Sequence, residues 1–140
     1  MSAKPSTPRA GWVTPLLHVA DVERSIAFYT LLGFEVVDTD RCEPIGWARL
    51  HVKGGAIMLN RADEPVDPAV QAVLLYLYTP DLIALRDHVR QAGIPTPPIR
   101  HPDYMQSGEL HLRDPDGYTV LIGHWGEAED SAWRKRIGRD

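Results

Sequence analysis

Four side chains able to ligate a metal or move a proton fall on strand-like stretches of this chain. Glu109 and His111 stand two apart in GELHLR, with Arg113 next in the same alternation and Leu110 and Leu112 at the opposite parity. His51 follows Arg49 by two in WARLHV, opposite Leu50 and Val52, and His18 lies in VTPLLHV. In a strand, side chains two apart share a face, so each set projects together. Imidazole and carboxylate are what divalent metals take from a protein, and the same groups can act as general acid and base. The competing assignment is a polar face on a solvated rim. His88 (on a helix), His101 (in a Pro-rich loop) and His124 (at a strand end) are assigned structural or solvent-facing roles.

Other chemistries find no support. There is no Ser-His-Asp order, no phosphate-cradling Gly loop and no CxxC, and Gly54-Gly55 reads as a hairpin turn. The single cysteine, Cys42, excludes an intrachain disulfide. A net charge of −4 without a clustered basic face argues against nucleic acid or an anionic membrane as partner. The N-terminal MSAKPSTPRAGW carries no apolar run of the kind that directs secretion, and no stretch approaches the length of a membrane span. A cytoplasmic location is the expectation.

With 140 residues, 44% of them hydrophobic, the chain suits one domain with a sizeable core. Residues 1–11 are expected to form a loose arm, residues 12–126 the domain, and residues 127–140 a helical tail. Residues 13–19 read as a strand. Asp21 is a candidate N-cap and Gly33 a candidate C′ residue of a helix whose face carries Val22, Ile26, Tyr29 and either Leu32 or Phe28. Strands are expected at 34–37, 47–52 and 56–59.

The second half repeats this order. Residues 73–78 form an apolar strand, and a helix runs from Asp81 to Gly93 with Leu82, Leu85 and Val89 on one face. Strands follow at 108–113 and 118–122. Asp-to-Gly is twelve positions in both copies, 21 to 33 and 81 to 93, an offset of 60. Two modules, about 12–62 and 72–125, therefore each read β-α-β-β-β, although TPPIRHPDY obscures the second strand of the later copy. The tail places Trp133 and Ile137 on one helical face, to pack on the domain body or a partner chain. Trp12 and Trp125 flank the first and last strands as packing residues.

The repeat, together with VADVERSIAFYTLLGF at 19–34 and DPDGY at 114–118, resembles the vicinal oxygen chelate superfamily, which includes glyoxalase I, extradiol dioxygenases, fosfomycin-resistance enzymes and bleomycin-resistance proteins. The resemblance covers residues 12–125. It implies an α+β fold of two βαβββ modules, a curled, cup-shaped mixed sheet with helices outside, a ligand or metal in the cup, and a homodimer. It also implies where metal ligands would stand: seven residues before the Asp opening each helix, and four after the Gly of the second-module turn. Those places hold Thr14, Leu74 and Leu121, and the first-module counterpart of the last is Met58 or Leu59. None is a normal ligand for a divalent metal.

Period-two geometry then assigns Thr14, Leu16 and His18, Leu74, Tyr76 and Tyr78, and Thr119, Leu121 and Gly123 to the cup. Pro15, Leu17, Val19, Val73, Leu75, Leu77, Val120 and Ile122 face the helices. The lining is mostly apolar and aromatic, which suits a small-molecule pocket. In the bleomycin-resistance branch aromatic residues stack on flat drug rings. Trp47 is a candidate platform of that kind or a dimer anchor, with Tyr104 and Met105 of HPDYMQSG as a lid. The candidate binding set is His18, Trp47, His51, Tyr76, Tyr78, Tyr104, Met105, Glu109, His111 and Leu121, with no metal and no cofactor. The expected function is metal-free sequestration of an apolar or aromatic compound. The alternatives are a lyase or dioxygenase with a displaced metal site or metal-free acid–base chemistry, and a structural or interaction dimer.

Overall fold

The computed structural model describes residues 8–139, so residues 1–7 of the expected arm lie outside it; residues 8–11 have no regular secondary structure. The first module runs β1 (Leu16–Val19), α1 (Val22–Leu31), β2 (Glu35–Thr39), β3 (Trp47–Val52) and β4 (Gly55–Arg61). The second runs β5 (Leu74–Thr79), α2 (Leu82–Gln91), β6 (Glu109–Arg113) and β7 (Thr119–His124), and α3 (Glu127–Ile137) ends the chain. The strands form two open, mixed sheets, ordered β1-β4-β3-β2 and β5-β7-β6. In each, the module's first strand pairs parallel with its last.

Both helices start and stop by the same chemistry. The Asp21 carboxylate accepts from the Arg24 N–H, and that of Asp81 from the Ala84 N–H, at 3.2 and 3.1 Å. At the far ends Gly33 donates to Thr30 and Phe34 to Tyr29, while Gly93 donates to Arg90 and Ile94 to Val89. These are paired 5→2 and 6→1 bonds closing each helix in a left-handed turn. The repeat is thus carried down to its hydrogen bonds.

Three expectations are corrected. The strand proposed from residue 13 begins at Leu16, because Val13 is 92% exposed and has no layer to pack on. Pro15 still extends the pairing by accepting from the Met58 N–H. The second strand of module two is reduced to a single bridge between Arg100 and Glu109. Pro95, Pro97, Pro98 and Pro102 surround it, and proline has no N–H to give a ladder. Trp12, assigned to packing, is 77% exposed.

The expected parity holds within the strands, but Val73, assigned to the helix-facing set, precedes β5 and is 47% exposed. Leu17 and Val19 of β1, Ala48 and Leu50 of β3, Ile57 and Leu59 of β4, Leu110 and Leu112 of β6, and Val120 and Ile122 of β7 are all buried in one core with Val22, Tyr29, Leu82 and Val89 of the helices. Phe28 and Leu32, between which the helical pattern does not choose, are both buried.

The two modules are joined through the DPDG turn. Asp116 accepts from the Ala20 N–H at 2.8 Å and the Ser25 hydroxyl at 3.3 Å, with Arg24 at 3.6 Å. Asp114 accepts from the Tyr29 hydroxyl at 2.6 Å and from the N–H groups of Asp116 and Tyr118 at 2.9 Å. Burial raises the Asp114 carboxyl above its ordinary range, and the Tyr29 hydrogen bond is the largest opposing influence. Gly117 completes the turn at φ +85°, and a Cβ there would lie 2.4 Å from the Pro68 carbonyl oxygen. An orphaned buried polar group costs about 1–3 kcal/mol. Tyr29→Phe is therefore expected to lower the unfolding free energy by about that amount in urea titrations. Asp116→Ala, which strands both the Ser25 hydroxyl and the Ala20 N–H, should cost more, on the order of 3 kcal/mol. Changes below about 0.5 kcal/mol would refute the role given to this turn.

Candidate functional site

The outer face of the second sheet is set by strand register into three rows. Leu74, Thr119 and Arg113 form the first, Tyr76, Leu121 and His111 the second, and Tyr78, Gly123 and Glu109 the third. The first sheet has its own rows: Leu16, Met58 and Arg49, then His18, Asn60 and Trp47. Met58 is the first-module counterpart that faces the cup, since Leu59 is in the core.

Glu109 is the surprise. Its residue type and edge position suit a solvated rim, yet it is only 1% exposed. Tyr76 donates to Oε2 at 2.5 Å, Tyr104 donates to Oε1 at 2.9 Å, and His111 Nε2 lies 3.0 Å from Oε1. An ionised carboxylate only accepts, so the His111 proton sits on Nε2. Burial pushes the Glu109 carboxyl upward, but the three donors outweigh it and hold the group below its ordinary value of 4.5. The Tyr76 phenol is pushed up, first by burial and then by its bond to Glu109.

Tyr104 and Met105 belong to a short 3₁₀ turn, Asp103–Met105, laid across the sheet. Met105 is buried where a Cβ on Gly123 would meet its Cε at 2.7 Å and the Tyr76 hydroxyl at 3.1 Å. Glycine at 123 leaves the space that this segment fills. The second-module candidates Tyr76, Tyr104, Met105, Glu109, His111 and Leu121 are therefore brought together. Tyr78 lies beside them with its ring 5.2 Å from that of Tyr76.

His18, Trp47 and His51 stand apart on the first sheet. Arg49 Nε donates to His51 Nε2 at 2.9 Å, and Arg49 Nη2 reaches the Thr14 hydroxyl at 3.4 Å. The Arg49 guanidinium also lies 5.9 Å from the centre of the Trp12 ring. The Nε2 lone pair of His51 is thus occupied. His18 lines a cleft of about 430 Å³ with the linker residues 62–67 and Tyr118. Trp47 opens β3, half-buried, on the cup face.

Sequence reasoning passed over Arg49, which organises the first face, and gave Trp125 only a packing role. Trp125 lines a cavity of about 320 Å³ with Tyr78, Asp130 and Trp133. The helical spacing of Trp133 and Ile137 signalled a face on α3 but not what it would meet.

A family model described as the Glyoxalase/Bleomycin resistance protein/Dioxygenase superfamily matches residues 9–122. The chain belongs to this superfamily. No curated protein matches it. Among solved structures it is similar to a bleomycin-binding protein complexed with bleomycin, at 22% identity, TM-score 0.67, over 84% of this chain and all of that one. A bleomycin resistance determinant encoded on transposon Tn5 shares 23% identity, TM-score 0.65, over 84% of this chain and 97% of that one. A mutant of the fosfomycin resistance protein FosX from Listeria monocytogenes, complexed with Mn(II) and 1S,2S-dihydroxypropylphosphonic acid, shares 12% identity, TM-score 0.66, over 88% of this chain and 98% of that one. These likenesses establish the fold.

The metal that some members use does not fit the residues present here. Thr14, Leu74, Met58 and Leu121 stand where the family resemblance implies ligands, and none has an imidazole or carboxylate. Among the described residues no group of three or more His, Cys, Asp or Glu side chains could hold a metal ion. Of the four groups suggested for a displaced site, only Glu109 and His111 touch.

Two measurements test the Glu109 cluster. Its folded-state pKa lies below 4.5, so the ionised group stabilises the fold fully above that pH and loses this as pH falls through the lower folded value. Glu109→Gln should be less stable than the parent by about 1–3 kcal/mol at neutral pH, with the gap closing as pH drops below 4.5; a gap that does not change with pH would contradict the assignment. Gly123→Ala should displace Met105 and make residues 103–107 more susceptible to limited proteolysis, without loss of the helical signal.

Proposed function

We propose that this protein binds a small, apolar or aromatic compound without a metal. The observation that carries the reading is the chemistry of the cup faces. The places where a metal enzyme of this family would present ligands hold Thr14, Leu74, Met58 and Leu121, and their neighbours are Leu16, Trp47, Tyr76 and Tyr78. A face of this kind, with few convergent polar groups, suits an organic ligand better than a hydrated ion. The resemblance in fold to a protein solved with bleomycin bound is consistent with such a role.

We further infer a homodimer. Leu16, Leu74 and Tyr78 are exposed in the single chain, Tyr78 to 62%. Leu74 and Tyr78 share the outer face of β5, and Leu16 the corresponding face of β1, where a second copy would cover them. In such a dimer Trp47, His18 and His51 would take part in the cup, and Tyr104 and Met105 would act as its lid. Among the described residues no helix is long and apolar enough to cross a membrane, and a cytoplasmic location belongs to the same proposal.

The second reading, an enzyme using Glu109 and His111, is favoured by a buried carboxylate in contact with an imidazole that stays accessible. Turnover separates the readings: an acid–base enzyme converts the compound that the screen below finds and loses conversion on His111→Gln, whereas a binder returns the compound unchanged.

Three results are expected. Elemental analysis of protein purified without chelator finds no stoichiometric Zn, Mn, Ni or Fe, and finding one would overturn the metal-free reading. Sedimentation gives twice the chain mass. A thermal-shift screen of flat aromatic compounds and antibiotics yields a ligand that stabilises by about 2.7 kcal/mol when present at 100 times its Kd.

A further inference from the structure

The cavity between β5 and α3 has walls unlike those of an ordinary apolar cleft. Three of its four lining residues are aromatic and the fourth is a carboxylate: Tyr78, Trp125, Trp133 and Asp130, around about 320 Å³. The rings do not stack. Tyr78 and Trp125 have centroids 5.8 Å apart with planes at 66°, and Trp125 and Trp133 are 6.4 Å apart at 74°. Each pair meets edge to face, so the rings that line the cavity are not layered into a slab.

The carboxylate is anionic and anchored. Asp130 Oδ1 accepts from the Trp125 indole N–H at 3.4 Å and Oδ2 from Arg134 at 2.8 Å. The Arg134 bond, then the Trp125 bond, hold its carboxyl below the ordinary range. Beside it, Glu129 pairs with His124 at 3.3 Å. Helix α3 buries none of its residues, so Trp133 is not held in place as part of a core.

Aromatic rings carry negative potential over their faces, and rings lining one space beside a carboxylate favour a poorly hydrated, rounded cation, which competes with Arg134 for Asp130. A flat neutral ring can also pack edge to face against such walls, so charge is the property that separates the two kinds of ligand. We propose that Tyr78, Trp125, Trp133 and Asp130 form a binding site for an alkylated ammonium group. This rests on the reading of the chain as a small-molecule binder and adds the charge of the ligand. Tyr78 also faces the cup and contacts Tyr76, so a ligand with an aromatic body over Tyr76 can place its ammonium group in the cage.

The test uses the full chain and two probes of the same shape, choline and its uncharged analogue 3,3-dimethylbutan-1-ol, followed through the indole N–H signals of Trp125 and Trp133. Choline is expected to shift both signals and to bind about ten-fold more tightly than the alcohol. Trp133→Leu should abolish the response at Trp125 while the circular dichroism of the fold is retained, and Asp130→Asn should reduce the preference for charge. Equal affinity for the two probes, or no shift of either indole across a salt-matched titration, overturns the proposal. A flat aromatic compound that shifts Tyr76 and Leu121 while choline moves neither indole overturns the cage and leaves the cup intact. A choline response with no cup ligand in any screen supports the cage and overturns the cup.

Discussion

The two carboxylates of the DPDG turn are the constraint on which the rest of this molecule depends. Each module is a small curved sheet with one helix, too little to bury both faces of its strands alone. Asp114 and Asp116 tie the second module to α1 of the first through Tyr29, Ser25 and the Ala20 N–H. Carboxyl groups this deeply buried are tolerable only when hydrogen-bonded, so the contact is specific in a way that apolar packing is not. It fixes the register of β7, and through β7 the three rows of side chains that make the second cup face.

This explains why the fold is so legible. The residues that resemble the family in α1 and in the turn are the two halves of one hydrogen-bonded contact, so finding both in the sequence is nearly finding the interface. Leu17 and Val19, and Val120 and Ile122, could be assigned to the core because a one-residue slip would reverse every side chain of a strand. The boundaries that failed did so locally. Val13 and Thr14 continue the pattern of β1 but run past the edge of the layer beneath them, and the prolines of 95–102 remove donors without removing the chain from the sheet edge.

The site was legible only in part, for a reason of a different kind. Alternation placed Glu109 with His111 on the outer face of β6, and the register agrees. Alternation says nothing of what lies above a face. Glu109 is buried because residues 103–105 fold over it and because Gly123 leaves room for Met105, and neither fact has a periodic signature. Arg49 was treated as a neighbour of His51 when it is the group that occupies His51. Trp125 and Trp133 come together only because α3 turns back toward β5, which local propensity does not determine.

The state of Glu109 bears on the choice between the binding and the enzymatic readings proposed above. A general base works best with a pKa near the operating pH, and enzymes raise carboxyl groups by burial to bring them there. Burial alone would do that to Glu109. The donors Tyr76, Tyr104 and His111 work in the opposite direction and hold the group below its ordinary value. They also occupy both oxygens, leaving little acceptor capacity for a substrate proton. A carboxylate so thoroughly satisfied is better suited to hold three side chains in place than to exchange a proton. The hydroxyls of Tyr76 and Tyr104 are turned inward by it, and the ring of Tyr76 is left to face the cup beside Leu121. Anchored on a strand whose outer side chains read as polar in sequence, the cluster thus presents the ring of Tyr76 beside Leu121 as part of the outer face.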